Sequence, residues 1–325
     1  MIRLTNLDRL YTDLGGLLLQ AQHKVLTSGQ VMLGKHTQEL EEQLASRSGA
    51  KYCSVVGSGS DALMYGLRAT GNTTTTIPAQ TFIATKNSCR RADMDIVFAD
   101  VRTNGCVEFN SVTTDSVVWV GLFGNDCVLP KDIAVYEDGA QHFGLPLKGV
   151  FASYSFDPTK SLPNFGNGGA VVSNNLELVE RVKKLRRHGQ INTHTGGHSI
   201  ISERDCAELL VKLKYFDGWT KRRQELAEQY IEELEDYVDC VTDPRGMVSK
   251  FVVATDRKSC LKTHLTLKGI QCKDVYDAPL ANFPQAQTNC NNFLSIPCDS
   301  YTTDEEVSTV VEHIKMFFEP SPLKT

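Results

Sequence analysis

Lys160 sits in the stretch V-F-A-S-Y-S-F-D-P-T-K-S-L-P-N-F-G-N-G-G-A-V-V-S, residues 150–173, between two apolar runs that read as buried strands. Most lysines lie on solvated faces, so an amine presented at the tip between two such strands calls for a chemical use. Upstream, I-A-V-Y-E-D-G-A-Q-H-F-G (133–144) is an apolar strand ending in Glu137-Asp138, with Gln141 just beyond. Ligands of open α/β sheets bind at the C-terminal ends of strands. A carboxylate there either caps a helix or meets a cationic ligand group. A third feature, G-S-G-S-D-A (57–62), is a small-residue turn from strand to helix, where backbone N–H groups and a helix N-terminus can hold a phosphate. A nucleophilic lysine, a strand-end aspartate and a phosphate turn are the parts a pyridoxal phosphate site requires. The lysine forms a Schiff base, the aspartate keeps the pyridine nitrogen protonated, and the turn takes the phosphate.

Rival chemistries fit less well. G-S-G-S-D-A also satisfies G-x-G-x-x-A, but a dinucleotide site wants an acid roughly 20 positions on, and the next strand ends T-I-P-A-Q. No tyrosine has a lysine four residues on, which removes the Tyr-x-x-x-Lys arrangement of short-chain dehydrogenases. D-M-D (93–95) matches a loose metal-binding D-x-D, yet Asp95 stands where a turn enters the strand I-V-F-A. The loop H-G-Q-I-N-T-H-T-G-G-H (188–198) holds three histidines with no carboxylate or thiolate at metal spacing. It reads as a phosphate- or substrate-touching loop, with His188 a candidate substrate residue, and no metal is expected.

These residues need a frame, and the hydrophobic pattern supplies one. Residues 5–47 read as two helices, the second opening near Thr37 as a cap, with Leu40 and Leu44 on one face. From Tyr52 short apolar runs alternate with helical segments: 52–56, 73–77, 96–99, 117–120, 133–136 and 150–155 as strands, then re-entry at Ala170. The alternation predicts an α/β fold whose large domain has a mostly parallel sheet sandwiched by helices. After Ser173 come a helix, the histidine loop and two helices over about 202–237, then a short α+β pattern closed by T-D-E-E-V-S-T-V-V-E-H-I-K. The division is placed near residue 220, giving a large domain over 1–220 and a small C-terminal α+β domain over 221–325.

The chain has 325 residues, 34 basic and 39 acidic, for a net charge of −5. That balance supplies no general attraction to nucleic acid or an anionic membrane. The N-terminus carries acids and lacks an apolar core, so no signal peptide is read there, and no apolar run reaches membrane length. Ten cysteines are scattered singly, without a C-x-x-C pair, as small reduced hydrophobes of a cytoplasmic protein.

Five segments in order, S-G-S-D-A-L, P-A-Q-T-F-I-A-T, Y-E-D-G-A-Q-H-F-G, S-F-D-P-T-K and G-N-G-G-A-V-V, resemble the DegT/StrS group of fold-type-I pyridoxal phosphate enzymes. The resemblance runs from about Gly29 to L-S-I-P-C-D-S-Y-T-T-D-E-E-V. It implies an aminotransferase acting on a nucleotide-linked keto-sugar, with glutamate as amino donor, in a homodimer. Lys160 is then the Schiff-base lysine and proton shuttle, Asp138 the partner of the pyridine nitrogen, and Gln141 a neighbour of the ring hydroxyl. Phe82 takes the place of the ring-stacking aromatic, while Gly59, Ser60 and Ser155 bind the phosphate. The family's sugar dehydratases carry histidine at the position of Lys160; such a dehydratase or lyase, or a non-catalytic cofactor-binding relative, are the alternatives. Where the family pattern is G-x-N-x-R, this chain reads G-G-H-S-I, which puts His198 at the residue that reaches the partner subunit's phosphate and Ile200 in place of the arginine. Asp205 stands where a glutamine is expected, and the chain is short around 106–119 and 282–293.

Overall fold

Leu10, Leu14, Leu18 and Val25 recur at helical spacing and put one buried stripe along α1 (Leu7–Ser28). A computed structural model describes residues 1–319 of the chain; residues 320–325, the end of the region expected as the small domain, lie outside them. Helix α2 (Lys35–Arg47) buries Leu40 and Leu44, but Thr37 is not its cap. The helix starts after Gly34, and its first N–H groups are satisfied by a residue far along the chain. Glu203 accepts from Gly34 N at 2.8 Å, His36 N at 2.6 Å and the Thr37 hydroxyl at 2.6 Å. A carboxylate on another helix outcompetes the local hydroxyl because its two oxygens serve several orphan donors at once.

Seven strands form the main sheet: β1 (Tyr52–Val56), β2 (Thr74–Pro78), β3 (Asp95–Ala99), β4 (Ser116–Val120), β5 (Ala134–Asp138), β6 (Phe151–Ser155) and β7 (Gly169–Ser173). Their order is β1-β7-β6-β5-β4-β2-β3. Only β7 runs against its neighbours, pairing antiparallel with both β1 and β6, so the sheet is mainly parallel, as the alternation predicts. Side chains alternate between the faces with period two. Val56, Phe151 and Val171 face α3 (Gly59–Thr70), α4 (Ile83–Arg91) and α5 (Leu176–Leu185), while Val55, Ala152, Tyr154 and Val172 face α1, α2 and α6 (Glu203–Leu213). A small hairpin, β8 (Gln190–Ile191) with β9 (His194–Thr195), lies between α5 and α6.

One part of the sandwich departs from the pattern. The connections β3–β4 and β4–β5 contain no α-helix, only one short 3-10 turn each, Phe109–Ser111 and Leu122–Gly124. Irregular chain covers Val117, Trp119 and Val135 there, through Cys106, Val107 and Leu129. The segments are punctuated by T-N-G, G-N-D and L-P, which break helices.

Packing changes along α7 (Phe216–Leu234). Phe216 and Trp219 join the core of the large sheet, whereas Leu226, Tyr230 and Leu234 pack on the C-terminal sheet. On this change we place, as a proposal, the domain division near residue 220. The second sheet comprises β10 (Asp239–Cys240), β11 (Phe251–Ala254), β12 (Lys273–Asp274) and β13 (Phe293–Ile296), in the order β10-β11-β13-β12. Helices α8 (Lys258–Leu267) and α10 (Asp304–Phe318) cover its outer face, and α9 (Pro284–Asn292) leads into β13. No described helix is long and apolar enough to cross a membrane.

Candidate active site

The C-terminal ends of β5 and β6, the N-terminus of α3 and the β6–β7 connection converge. Asp138 closes β5 and is buried. No helix follows it, so it is not a cap. Its Oδ2 accepts from the Thr85 hydroxyl at 2.7 Å and its Oδ1 from Ala140 N at 3.3 Å. The Thr85 and Thr81 hydroxyls are 2.8 Å apart, so the first turn of α4 fixes the carboxylate.

Lys160 follows a tight turn in which its own N–H bonds Asp157 O at 2.9 Å. Asp157 in turn accepts from Thr159 N at 2.9 Å and the Thr159 hydroxyl at 2.6 Å. Burial lowers the Lys160 amine below its ordinary value; the charges of Asp138 and Asp157 pull it back up, and Lys273 adds to the lowering. Such an amine is partly available as a base.

At the start of α3, Ser58 caps the helix by accepting from Asp61 N at 3.1 Å. The Gly59 and Ser60 N–H groups have no acceptor among the described residues, which leaves two donors and a helix dipole for an anion. A Cβ on Gly59 would lie 2.5 Å from the Ser155 Cβ, so glycine alone allows the helix to approach the end of β6 this closely. The turn is held from above by a residue the sequence did not reveal. Ser199 accepts from Gly57 N at 3.0 Å and donates to Asp61 at 2.7 Å. The same loop donates Gly197 N to the Tyr65 hydroxyl at 3.2 Å.

Phe82 is the residue before α4, 58% exposed, with its ring free to meet a ligand. Gln141 is buried and accepts from Phe123 N at 2.9 Å. Tyr276, which no motif flagged, sits against Gln141 and the Phe82 backbone, and burial pushes its phenol up. Behind the site the buried His142 stacks on Trp119 with ring centroids 4.7 Å apart and lies 3.3 Å from Glu137.

The structure thus brings Lys160, Asp138, Gln141, Gly59, Ser60 and Ser155 to one end of the sheet, with Phe82 beside them. His188 and His198 are exposed on the neighbouring loop, their rings 5.7 Å apart. The third histidine, His194, lies 3.1 Å from Asp93, which Arg68 also approaches at 3.5 Å. The D-M-D aspartate therefore has ionic partners, and no group of three or more potential ligands that could hold a metal occurs among the described residues.

Comparison with known proteins bears on this arrangement. Residues 13–315 match the DegT/DnrJ/EryC1/StrS aminotransferase family. A pleiotropic regulatory protein of Geobacillus stearothermophilus is 28% identical over 98% of this chain and 98% of its own. The dTDP-3-amino-3,6-dideoxy-alpha-D-galactopyranose transaminase of Aneurinibacillus thermoaerophilus is 30% identical, covering 92% of this chain and 94% of its own. Among solved structures, S. venezuelae DesV in complex with a ketimine intermediate superposes with a TM-score of 0.91 at 25% identity, covering 98% of this chain and 99% of that one.

Proposed function

This chain belongs to the DegT/DnrJ/EryC1/StrS aminotransferase family, and from that premise we propose that it transfers an amino group from L-glutamate to the ketone of a nucleotide-linked sugar, with pyridoxal phosphate held on Lys160. The observation that carries the reading is the meeting, at one sheet end, of an amine lowered by burial and a buried carboxylate whose charge acts on that amine. Among the described residues Asp138 has only the Thr85 hydroxyl and one backbone N–H as donors, so it retains acceptor capacity for a protonated ring nitrogen. The residues present therefore fit the cofactor.

Pyridoxal phosphate, once bound, supplies an electron sink for the carbon that exchanges its amine. The protein's part is to hold and to move protons. Asp138 keeps a proton on the ring nitrogen, and the Gly59 and Ser60 N–H groups with the Ser155 hydroxyl bind the phosphate. Phe82 covers one ring face, and Gln141 lies by the ring hydroxyl. The Lys160 Nζ would take the proton from the donor's α-carbon and pass it to the cofactor carbon that receives the amine, and in the second half would carry a proton from that carbon to the sugar carbon. His198 is exposed and so accessible to a second copy of the chain, in keeping with the homodimer that the family likeness suggests. His188, beside it, is assigned to the substrate. All ten cysteines are free thiols, which supports a reducing cytoplasmic setting.

The test is a half-reaction. Cofactor-loaded enzyme given L-glutamate alone should release one equivalent of 2-oxoglutarate per site, and Lys160→Ala should release none. Unchanged release from Lys160→Ala would overturn the assignment. A panel of keto-sugar nucleotides then identifies the acceptor.

A further inference from the structure

The C-terminal sheet presents two faces of different character. Phe251, Val253, Leu294 and Ile296 point to α7, α8 and α10. On the other face Val252 pairs across to Ser295, and Ser295 to Lys273, so these three share one side. Val252 and Phe293 lie in the core of the large sheet, with Phe293 5.9 Å from Phe123, which shows that this side looks toward the site. Lys250, two residues before Val252, lies on the same side by strand alternation. Its position is fixed independently: Ser249 N donates to Phe123 O at 2.8 Å, and Phe123 N donates to the Gln141 side chain at 2.9 Å. Lys250 thus leaves the chain directly beside the wall that Gln141 builds.

Two ammonium groups from β12 and the start of β11 therefore face Lys160, on strands about 10 Å apart either side of β13. Neither Lys250 nor Lys273 forms an ion pair among the described residues; the neighbouring Asp274 points the other way, to Lys258 and Lys262. Two carboxylates face the cluster: Asp138, held by Thr85, acts on Lys160, and Asp157, held by Thr159, acts on Lys160 and Lys250, so three amines meet two carboxylates. Burial, with Lys160 and Lys273 facing it, brings the Lys250 amine down to about 8. Clustered positive charge of this kind is disfavoured in the free protein and relieved by an anion.

We propose that Lys250 and Lys273 form the subsite that reads the carboxylates of a dicarboxylic amino donor in front of Lys160. The inference rests on the aminotransferase reading and adds to it the residues that select the donor. Donor carboxylate and nucleotide diphosphate are both oxyanions, and the experiment separates them.

The experiment is calorimetric binding of glutarate, a dicarboxylate with neither amino nor oxo group, to the cofactor-loaded enzyme, with uridine diphosphate as the second probe. Lys250→Gln and Lys273→Gln should each weaken glutarate by about tenfold or more, leave uridine diphosphate unchanged, and keep wild-type melting. Lys250→Arg should retain glutarate binding and guards against a Gln variant that does not fold. Glutarate affinity unchanged in both Gln variants overturns the proposal, as does a loss confined to uridine diphosphate. If the wild type carries out the glutamate half-reaction in that case, only the subsite fails. If it releases no 2-oxoglutarate and turns over no keto-sugar, the functional reading fails with it.

Discussion

The Thr85 hydroxyl donates to Asp138 at 2.7 Å, and this one bond ties the first turn of α4 to the end of β5. The carboxylate is buried, so the bond sets both its direction and its readiness to accept a cationic N–H. A hydrogen bond to a charged group is worth about 1.5–3 kcal/mol. Thr85→Val, which preserves shape, should therefore slow the glutamate half-reaction about tenfold or more, with Thr85→Ser close to wild type. Stopped-flow absorbance measures this. A Thr85→Val enzyme as fast as the wild type would show that Asp138 needs no orienting partner.

Gly59 tests the proposed phosphate cradle. A methyl there would meet Ser155 at 2.5 Å, on backbone and a short side chain that cannot swing away. Gly59→Ala must push α3 off β6, a strain of about 1–3 kcal/mol. Cofactor affinity should fall at least tenfold, read by equilibrium titration of the apoenzyme. Gly16→Ala, where a Cβ meets nothing within 4 Å, is the control and should bind as wild type.

How much of this was legible in the chain follows from where each signal lies. Lys160, Asp138 and the Gly57–Ala62 turn are local features: each sits at the junction of an apolar run and a break, which period and punctuation reveal. The bounds of the large-sheet strands agree within a residue or two for the same reason. Thr85, Ser199, Tyr276 and Lys250 carry no such mark. Ser199 acts on Gly57 and Asp61 from 138 or more residues away, a relation only the fold creates. Thr37 misled because a Thr before an apolar run is a sound local cap signal, and nothing nearby announces that Glu203 takes the task. The helix-free β3–β4 and β4–β5 crossovers show the converse: alternation implies covered faces, but does not say that loops can do the covering.

Glu203 itself yields a stability prediction. Burial alone would raise its carboxyl, but the Thr37 hydroxyl and the Gly34, His36 and Thr37 N–H groups together hold it below its ordinary value. A lowered carboxyl stabilises the fold above its unfolded value, about 4.3, and the contribution is lost as pH falls through the folded value. Glu203→Ala should cost about 3 kcal/mol at pH 7 through the orphaned donors. Thermal melting from pH 7 to pH 3 checks the sign: the gap between wild type and variant should be full at pH 7 and shrink in acid. A gap that stays constant would mean that packing, not charge, explains the loss.

If Lys160 holds the cofactor as proposed, the site's charges set how readily the apoenzyme captures it, because only a neutral amine can attack the aldehyde. Burial lowers the amine, Asp138 and Asp157 oppose that, and Lys273 assists it. Capture should therefore speed up as pH rises and level off below the ordinary lysine value of about 10.4. Removing an opposing carboxylate lowers the amine further. Asp157→Asn should thus enlarge the neutral fraction near pH 7.5 and accelerate capture severalfold. Removing an assisting cation acts the other way, so Lys273→Gln should slow capture and move its profile to higher pH. Rapid mixing of apoenzyme with pyridoxal phosphate over pH 7 to 10, followed by the rise of the lysine-linked absorbance, gives both profiles. The signs are opposite, which separates electrostatics from damage: a general loss of structure slows both variants, whereas the charge argument requires one to gain while the other loses.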